Sequence, residues 1–96
     1  MERLNEFELE VLEVLPVEPT GLSLAELADG LLDNRSPAAK GKVRRALESI
    51  SKVLGGLHVR TGNDELGGFA VKMYGVPSRK MAAVRAFFAE NALAHV

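Results

Sequence analysis

The residues of this 96-residue chain that are best suited to chemistry are the basic side chains of segment 36–54. In a helix of 3.6 residues per turn, Arg45 and Lys52 lie opposite the apolar face. Lysine and arginine neutralise phosphates, and an arginine fork can hydrogen-bond to O6 and N7 of guanine. The pattern predicts a nucleic-acid-binding surface made of Lys40, Lys42, Arg44, Arg45, Ser49 and Lys52. A solvated helix surface is the alternative, because both residue types are also good helix formers.

Clear start and stop signals indicate that this segment is a helix over 37–54. Ser36 is suited to cap the first turn, Pro37 fits the first helical position, and the glycine pair at 55–56 ends the helix. Gly41 costs about 1 kcal/mol relative to alanine inside a helix. It either lets the helix approach DNA closely or belongs to a frayed surface, and both interpretations stay open. The apolar face consists of Val43, Leu47, Ile50 and Leu54.

Charge is strongly segregated along the chain, although the net charge is only −1. Residues 1–34 carry a balance of −8, residues 35–72 a balance of +5, and residues 73–96 a balance of +2. Such segregation is typical of a protein that presents one basic surface to a polyanion.

Two shorter helices precede the basic segment, at about 6–15 and 24–32. Asn5 and Ser23 are each followed three residues later by glutamate, which is the signature of a capping box. Free amides at a helix start can also hold a phosphate, so Ser23 and Ser36 are candidate phosphate contacts. Capping alone is the structural alternative at both serines.

A β-hairpin and a last helix complete the chain. Alternating apolar residues predict a hairpin over about 57–74, with Leu57, Val59 and Thr61 sharing an inner face with Val71 and Met73. Arg60 and Lys72 are expected on its outer face, and Ser78 is expected to cap a helix over about 78–93.

The order of helix, helix, basic helix, hairpin and helix resembles the winged helix-turn-helix DNA-binding superfamily. Two stretches of the sequence are similar to MarR-like regulators in particular: V-R-R-A-L-E-S-I and, after it, L-G-G-L-H-V-R-T-G-N-D-E-L-G-G-F-A-V-K-M-Y-G-V. The resemblance implies a single α+β, mostly α, winged-helix domain over 1–96. It further implies that helix 37–54 enters the major groove of double-stranded DNA, that Arg60 and Lys72 belong to the wing, and that homodimers form through terminal helices.

Two features refine this expectation. The tip of the hairpin, Asn63-Asp64-Glu65, is acidic, so the basic helix is expected to supply most of any DNA affinity. The last helix is apolar over more than one face, and a second copy is expected to cover Phe87, Phe88 and Leu93. The alternative is that this helix packs back over the first one.

Nothing in the sequence predicts an enzyme, a cofactor or a metal site. There is no cysteine, no Walker-type loop, and no G-x-S-x-G or H-E-x-x-H motif. His58 and His95 are isolated, without an evident carboxylate partner. The apolar runs are too short to span a bilayer and the start is unlike a secretory signal, so we expect a cytoplasmic protein without a membrane contact. A winged-helix protein–protein interaction module without DNA binding is the alternative function, favoured by the acidic tip and the small net charge.

Overall fold

The computed structural model describes residues 4–63 and 70–94, with side chains as far as residue 90. Over these ranges the fold is α+β and mostly helical, as predicted. The elements are, in chain order, α1 (Glu6–Val14), α2 (Leu24–Leu32), α3 (Pro37–Leu54), β1 (His58–Asn63), β2 (Ala70–Gly75), a 3-10 turn (Ser78–Lys80) and α4 (Met81–Ala94).

The predicted starts of α1 and α2 are confirmed by their caps. The Glu8 N–H donates to the Asn5 side chain at 2.8 Å, and the Asn5 N–H donates back to the Glu8 carboxylate at 2.7 Å. Ser23 and Glu26 form the same reciprocal pair at the start of α2. Each box satisfies amides that have no acceptor inside the helix. The bounds of α2 and α3 are those predicted from the sequence.

The core lies where α3 packs against α1 and α2. The predicted apolar face of α3 is buried, with Val43 and Ile50 fully so. Burial of each large aliphatic side chain contributes roughly 1.5–3 kcal/mol. The helix ends at Gly55, whose φ of 78° is left-handed and favours glycine. Other buried members of this core are Val11, Leu12, Leu27, Ala28, Leu47 and Leu54.

Strand β2 has neighbours on both edges. It pairs with β1, and on its other edge the Leu22 N–H donates to the Tyr74 carbonyl at 2.9 Å while the Tyr74 N–H donates back at 2.8 Å. Leu22 belongs to the loop between α1 and α2, so this loop lies against β2. Gly75 permits the close approach, because a Cβ at that position would lie 2.5 Å from the carbonyl oxygen of Thr20.

The pairing register contradicts the predicted faces of the hairpin. Arg60 lies opposite Met73, and Thr61 lies opposite Lys72. Opposite residues of an antiparallel pair share a face, so the alternating apolar residues of β1 and β2 do not form a common inner face. Val59, expected inside, is 47% exposed. The prediction was wrong because alternation fixes the two faces of each strand but not the register between strands.

The start of α4 also differs from the prediction. Ser78 does not cap the helix; a 3-10 turn comes first, and the N–H and hydroxyl of Ser78 donate to Glu18. Val84 is buried against the core, and Phe87 and Phe88 pack half-buried on the same cluster. Both aromatic side chains therefore contact their own chain.

Candidate nucleic-acid interface

Helix α3 brings most of the predicted binding residues to the surface. Lys42, Arg44, Arg45 and Lys52 are exposed, whereas Lys40 and Ser49 are half-buried. The helix is fixed at its start by the Ser36 hydroxyl, which accepts from the Ala39 N–H at 3.2 Å. Because the inner face of α3 is packed into the core, the helix holds these side chains in a fixed orientation.

A groove of about 390 Å³ lies between α2, α3 and β2, and we call it the α2 groove. Three cations contribute to its wall: Lys40 and Arg44 from α3, and Lys72 from β2. The first turn of α2 forms the opposite wall, through Leu24 and Ala25. Amides at this end of a helix lack intrahelical acceptors and carry the positive end of the helix dipole. The α2 groove therefore places three cations beside the start of a helix, whose capping box engages the Glu26 N–H and carboxylate.

A second groove of about 330 Å³, which we call the hairpin groove, lies between α3 and the hairpin. Arg44, Lys72 and Tyr74 line both grooves and so form the ridge between them. The remaining wall of the hairpin groove is mixed in character, consisting of Leu47, Glu48, Ser51, Leu57 and Val59. The ridge therefore places two cations, one from α3 and one from β2, between the two grooves.

The strand register separates the two basic residues of the hairpin. Lys72 lies on the face with Thr61, toward α3, where it lines both grooves. Arg60 is exposed on the opposite face, with Met73 as its cross-strand partner. The expectation that both residues share one outer face was therefore wrong, and Lys72 is the hairpin cation that joins the basic surface of α3.

On its other side, α3 faces α1 across a groove of about 310 Å³. Arg45 and Ser49 line this groove together with Glu8. The Lys42 ammonium lies over the Phe7 ring, 4.5 Å from its centroid, which is a cation–π contact. Most of the predicted residues of α3 are thus divided between two flanks, and each flank carries an acid: Glu8 on the α1 side and Glu48 on the hairpin side.

Gly41 is covered by neighbouring arginine side chains. Both interpretations of the sequence had placed it at an open surface. It is buried within the regular part of α3. A Cβ at this position would lie 3.5 Å from a guanidinium nitrogen of Arg45 and 3.9 Å from one of Arg44. Long helical side chains point toward the preceding turn, which explains why these two arginines cover Gly41. Gly41 is therefore neither a bare contact surface nor a frayed end.

The two capping serines occupy different environments. Ser23 is only 2% exposed and its hydroxyl accepts from the Glu26 N–H. Ser36 is half-buried, and its own N–H donates to Asn34 at 2.8 Å. Structural capping explains both hydroxyls.

Sequence reasoning missed the partner of His58. Its Nδ1 lies 3.1 Å from the Glu18 carboxylate, contrary to the expectation of an isolated histidine. No local signal in the sequence brings residues 18 and 58 together. Among the described residues, no group of three or more histidine, cysteine or acidic side chains is suited to hold a metal ion.

Several predicted features fall outside the described residues: the side chain of Leu93, His95, and Asp64 and Glu65 of the hairpin tip. In the described part of the chain, no helix combines the length and apolar character that crossing a membrane requires.

Comparison of the chain with protein-family models, curated proteins and solved structures gives no match. The functional argument therefore depends on the geometry above.

Proposed function

We propose that this protein is a small winged-helix protein that binds duplex DNA through α3, as a transcriptional regulator or accessory DNA-binding factor. The element order supports the proposal: three helices, an antiparallel hairpin whose β2 also pairs with the α1–α2 loop, and a final helix. The three N-terminal helices surround one core, so the outer face of α3 is held rigidly for docking.

The observation that carries the proposal is the α2 groove. Lys40, Arg44 and Lys72 converge there from two elements, beside the first turn of α2. A phosphate of the DNA backbone would receive charge-assisted hydrogen bonds from the cations and favourable interaction with the helix dipole. With the phosphate backbone held on this flank, the outer face of α3 lies toward base edges in the major groove.

Arg45 and Lys52 are assigned to that outer face. Both are exposed and lie opposite the buried residues of α3. An arginine there can hydrogen-bond to guanine, whereas Lys52 serves as a point charge for a base or a phosphate. Arg60 is assigned no contact, because it lies on the far face of the hairpin.

Homodimerisation through α4 completes the proposal. The surface of α4 away from the buried Val84 carries Ala82, Ala86 and Ala89, all exposed. A second copy would bury this face together with the exposed parts of Phe87 and Phe88, and Leu93 continues the same helical face in the sequence. Two copies would bind two half-sites of a palindrome, which multiplies the few base contacts of one small domain.

The test is a binding titration of a fluorescent random duplex at low salt. We expect the double variant Arg44→Glu, Lys72→Glu to lose at least tenfold in affinity. The matched control Arg60→Glu, Arg79→Glu changes the net charge equally at exposed positions outside both grooves and outside α4. It should retain most of the affinity. No binding by the parent protein would overturn the proposal, and equal losses in the two double variants would overturn the assigned surface.

A protein-interaction module is the second candidate, favoured by the surface of α1. Glu10 and Glu13 are exposed there, and Val14 at its end is 44% exposed. An acidic surface with an exposed apolar residue is suited to a basic, partly apolar partner. The same titration decides between the candidates: failure to bind random duplex at micromolar protein would favour this one.

A further inference from the structure

Glu48 is an acid in the middle of the basic surface of α3. It is exposed, it lies one turn after Arg44 and one turn before Lys52, and it lines the hairpin groove. Such spacing allows ion pairs along a helix. Yet among the described residues the only ion pairs join Arg35 to Asp29 and His58 to Glu18. The Glu48 carboxylate is therefore left without a cation partner although cations lie on both sides of it in sequence.

An unpaired carboxylate on a DNA-facing helix is unfavourable beside phosphates, because like charges repel. The carboxylate becomes favourable only where a hydrogen-bond donor of the DNA lies within reach of it. In the major groove the donors are the amino groups of cytosine and adenine, and glutamate characteristically accepts from N4 of cytosine. A carboxylate at this position is therefore attracted to the amino groups of bases and repelled by the phosphates of the backbone.

We propose that Glu48 is a specificity-determining residue that accepts a hydrogen bond from the N4 amino group of a cytosine in the bound duplex. This inference rests on the proposed DNA-binding function and adds a base preference to it. Arg44 and Lys72, which share the hairpin groove with Glu48, hold the neighbouring backbone, so that the carboxylate is directed to the bases.

The position of Glu48 fits this role. It occupies the middle of α3, an 18-residue helix, on the side that faces Val59 and Lys72 across the hairpin groove. Val59 of β1 and Lys72 of β2 border that groove on the side opposite Glu48.

The test is selection of bound sequences from a random duplex pool with the parent and the variants Glu48→Ala and Glu48→Gln. We expect the parent to select cytosine at one position of each half-site. In Glu48→Ala, discrimination at that position should fall by about 5- to 150-fold, while other positions are unchanged. Glu48→Gln should shift the same position toward adenine, because glutamine pairs with adenine N6 and N7. Removal of the negative charge should also tighten binding to random duplex.

Glu13→Gln, an equal charge change at an exposed site of α1, is the matched control and should leave the selected sequence unaltered. Unchanged preference in both Glu48 variants would overturn this inference, as would a parent that binds duplex with no cytosine preference; either result leaves the proposed function standing. A parent that binds no duplex overturns the function as well. Thermal unfolding of each variant verifies that the comparison is between folded proteins.

Discussion

Glu18 holds Ser78, which follows it by 60 positions in the chain. The Ser78 N–H donates to one carboxylate oxygen at 2.8 Å and the Ser78 hydroxyl donates to the same oxygen at 3.1 Å. The other oxygen lies 3.1 Å from Nδ1 of His58. One side chain of the α1–α2 loop therefore fixes both the beginning of β1 and the turn that leads into α4.

This arrangement predicts a pH-dependent stability. The Ser78 N–H, then its hydroxyl, and more weakly His58 and Arg79 hold the pKa of Glu18 below its ordinary value of 4.5. A carboxyl group with a lowered folded-state pKa contributes stability that is complete above its unfolded pKa and is lost as pH falls through the folded one. We expect Glu18→Gln to lower the Tm at pH 7, and its deficit to shrink below about pH 4.5.

Thermal unfolding between pH 3 and pH 7 measures this. Glu48→Gln, which removes an exposed carboxylate without an ion-pair partner among the described residues, is the control and should follow the parent. Glutamine keeps an oxygen that can accept from Ser78, so if Glu18→Gln and the parent share one Tm at pH 7, the negative charge of Glu18 contributes nothing to stability.

A pair of glycine substitutions tests the close packing of β2 against the α1–α2 loop. Gly75→Ala should destabilise the fold by roughly 1–3 kcal/mol, because its Cβ would approach the Thr20 carbonyl to 2.5 Å and that backbone must shift. Gly30→Ala, in α2 with nothing within 4 Å of the added Cβ, should instead stabilise by up to about 1 kcal/mol. Urea unfolding gives both values, and a neutral Gly75→Ala would contradict the packing.

The salt dependence of DNA binding should identify the phosphate contacts. Four to six contacts per subunit predict a slope of about −4 to −5 for log affinity against log salt, at roughly −0.9 per contact. Arg44→Ala and Lys72→Ala should each make the slope less steep by about 0.9. Arg60→Ala, on the far face of the hairpin, should leave it unaltered. Equal changes in all three variants would show that net charge, not position, governs binding.

The contact between Lys42 and Phe7 should appear as an energetic coupling. A double-mutant cycle with Lys42→Gln and Phe7→Leu is expected to give about 0.5–1 kcal/mol from urea unfolding. The ammonium lies 4.5 Å from the ring centroid, within the range of a cation–π interaction. A second cycle, with Lys52→Gln in place of Lys42→Gln, should give no coupling. A zero value in the first cycle would mean that Lys42 is not held on α1.

The helical part of the fold was predictable because its signals are local. Asn5, Ser23 and Ser36 are followed by the residues that a cap requires, and the observed side-chain bonds use those partners. The apolar period along α3 likewise predicted which of its faces is buried, since a helix has one period and one core side. The basic outer face of α3 follows from the same period.

The candidate site was predictable only in part. The sequence indicated the cations of α3 and Lys72, but not that Arg44, Lys72 and Tyr74 form one ridge, and not the contribution of Leu24 and Ala25 to the α2 groove. These residues come from separate elements that tertiary packing brings together. Local periodicity contains no information about that packing.

What the sequence by itself determined about this protein is therefore its elements and the charge that each carries. The tertiary structure decided which charges act together. The strand register placed Arg60 and Lys72, which were expected on one outer face of the hairpin, on opposite faces, and the closure of the α1–α2 loop on β2 brought Glu18 to Ser78 and His58. The physical reason is the range of the interactions: caps and helical faces depend on residues within a few positions of each other, whereas register and loop closure depend on contacts between distant parts of the chain.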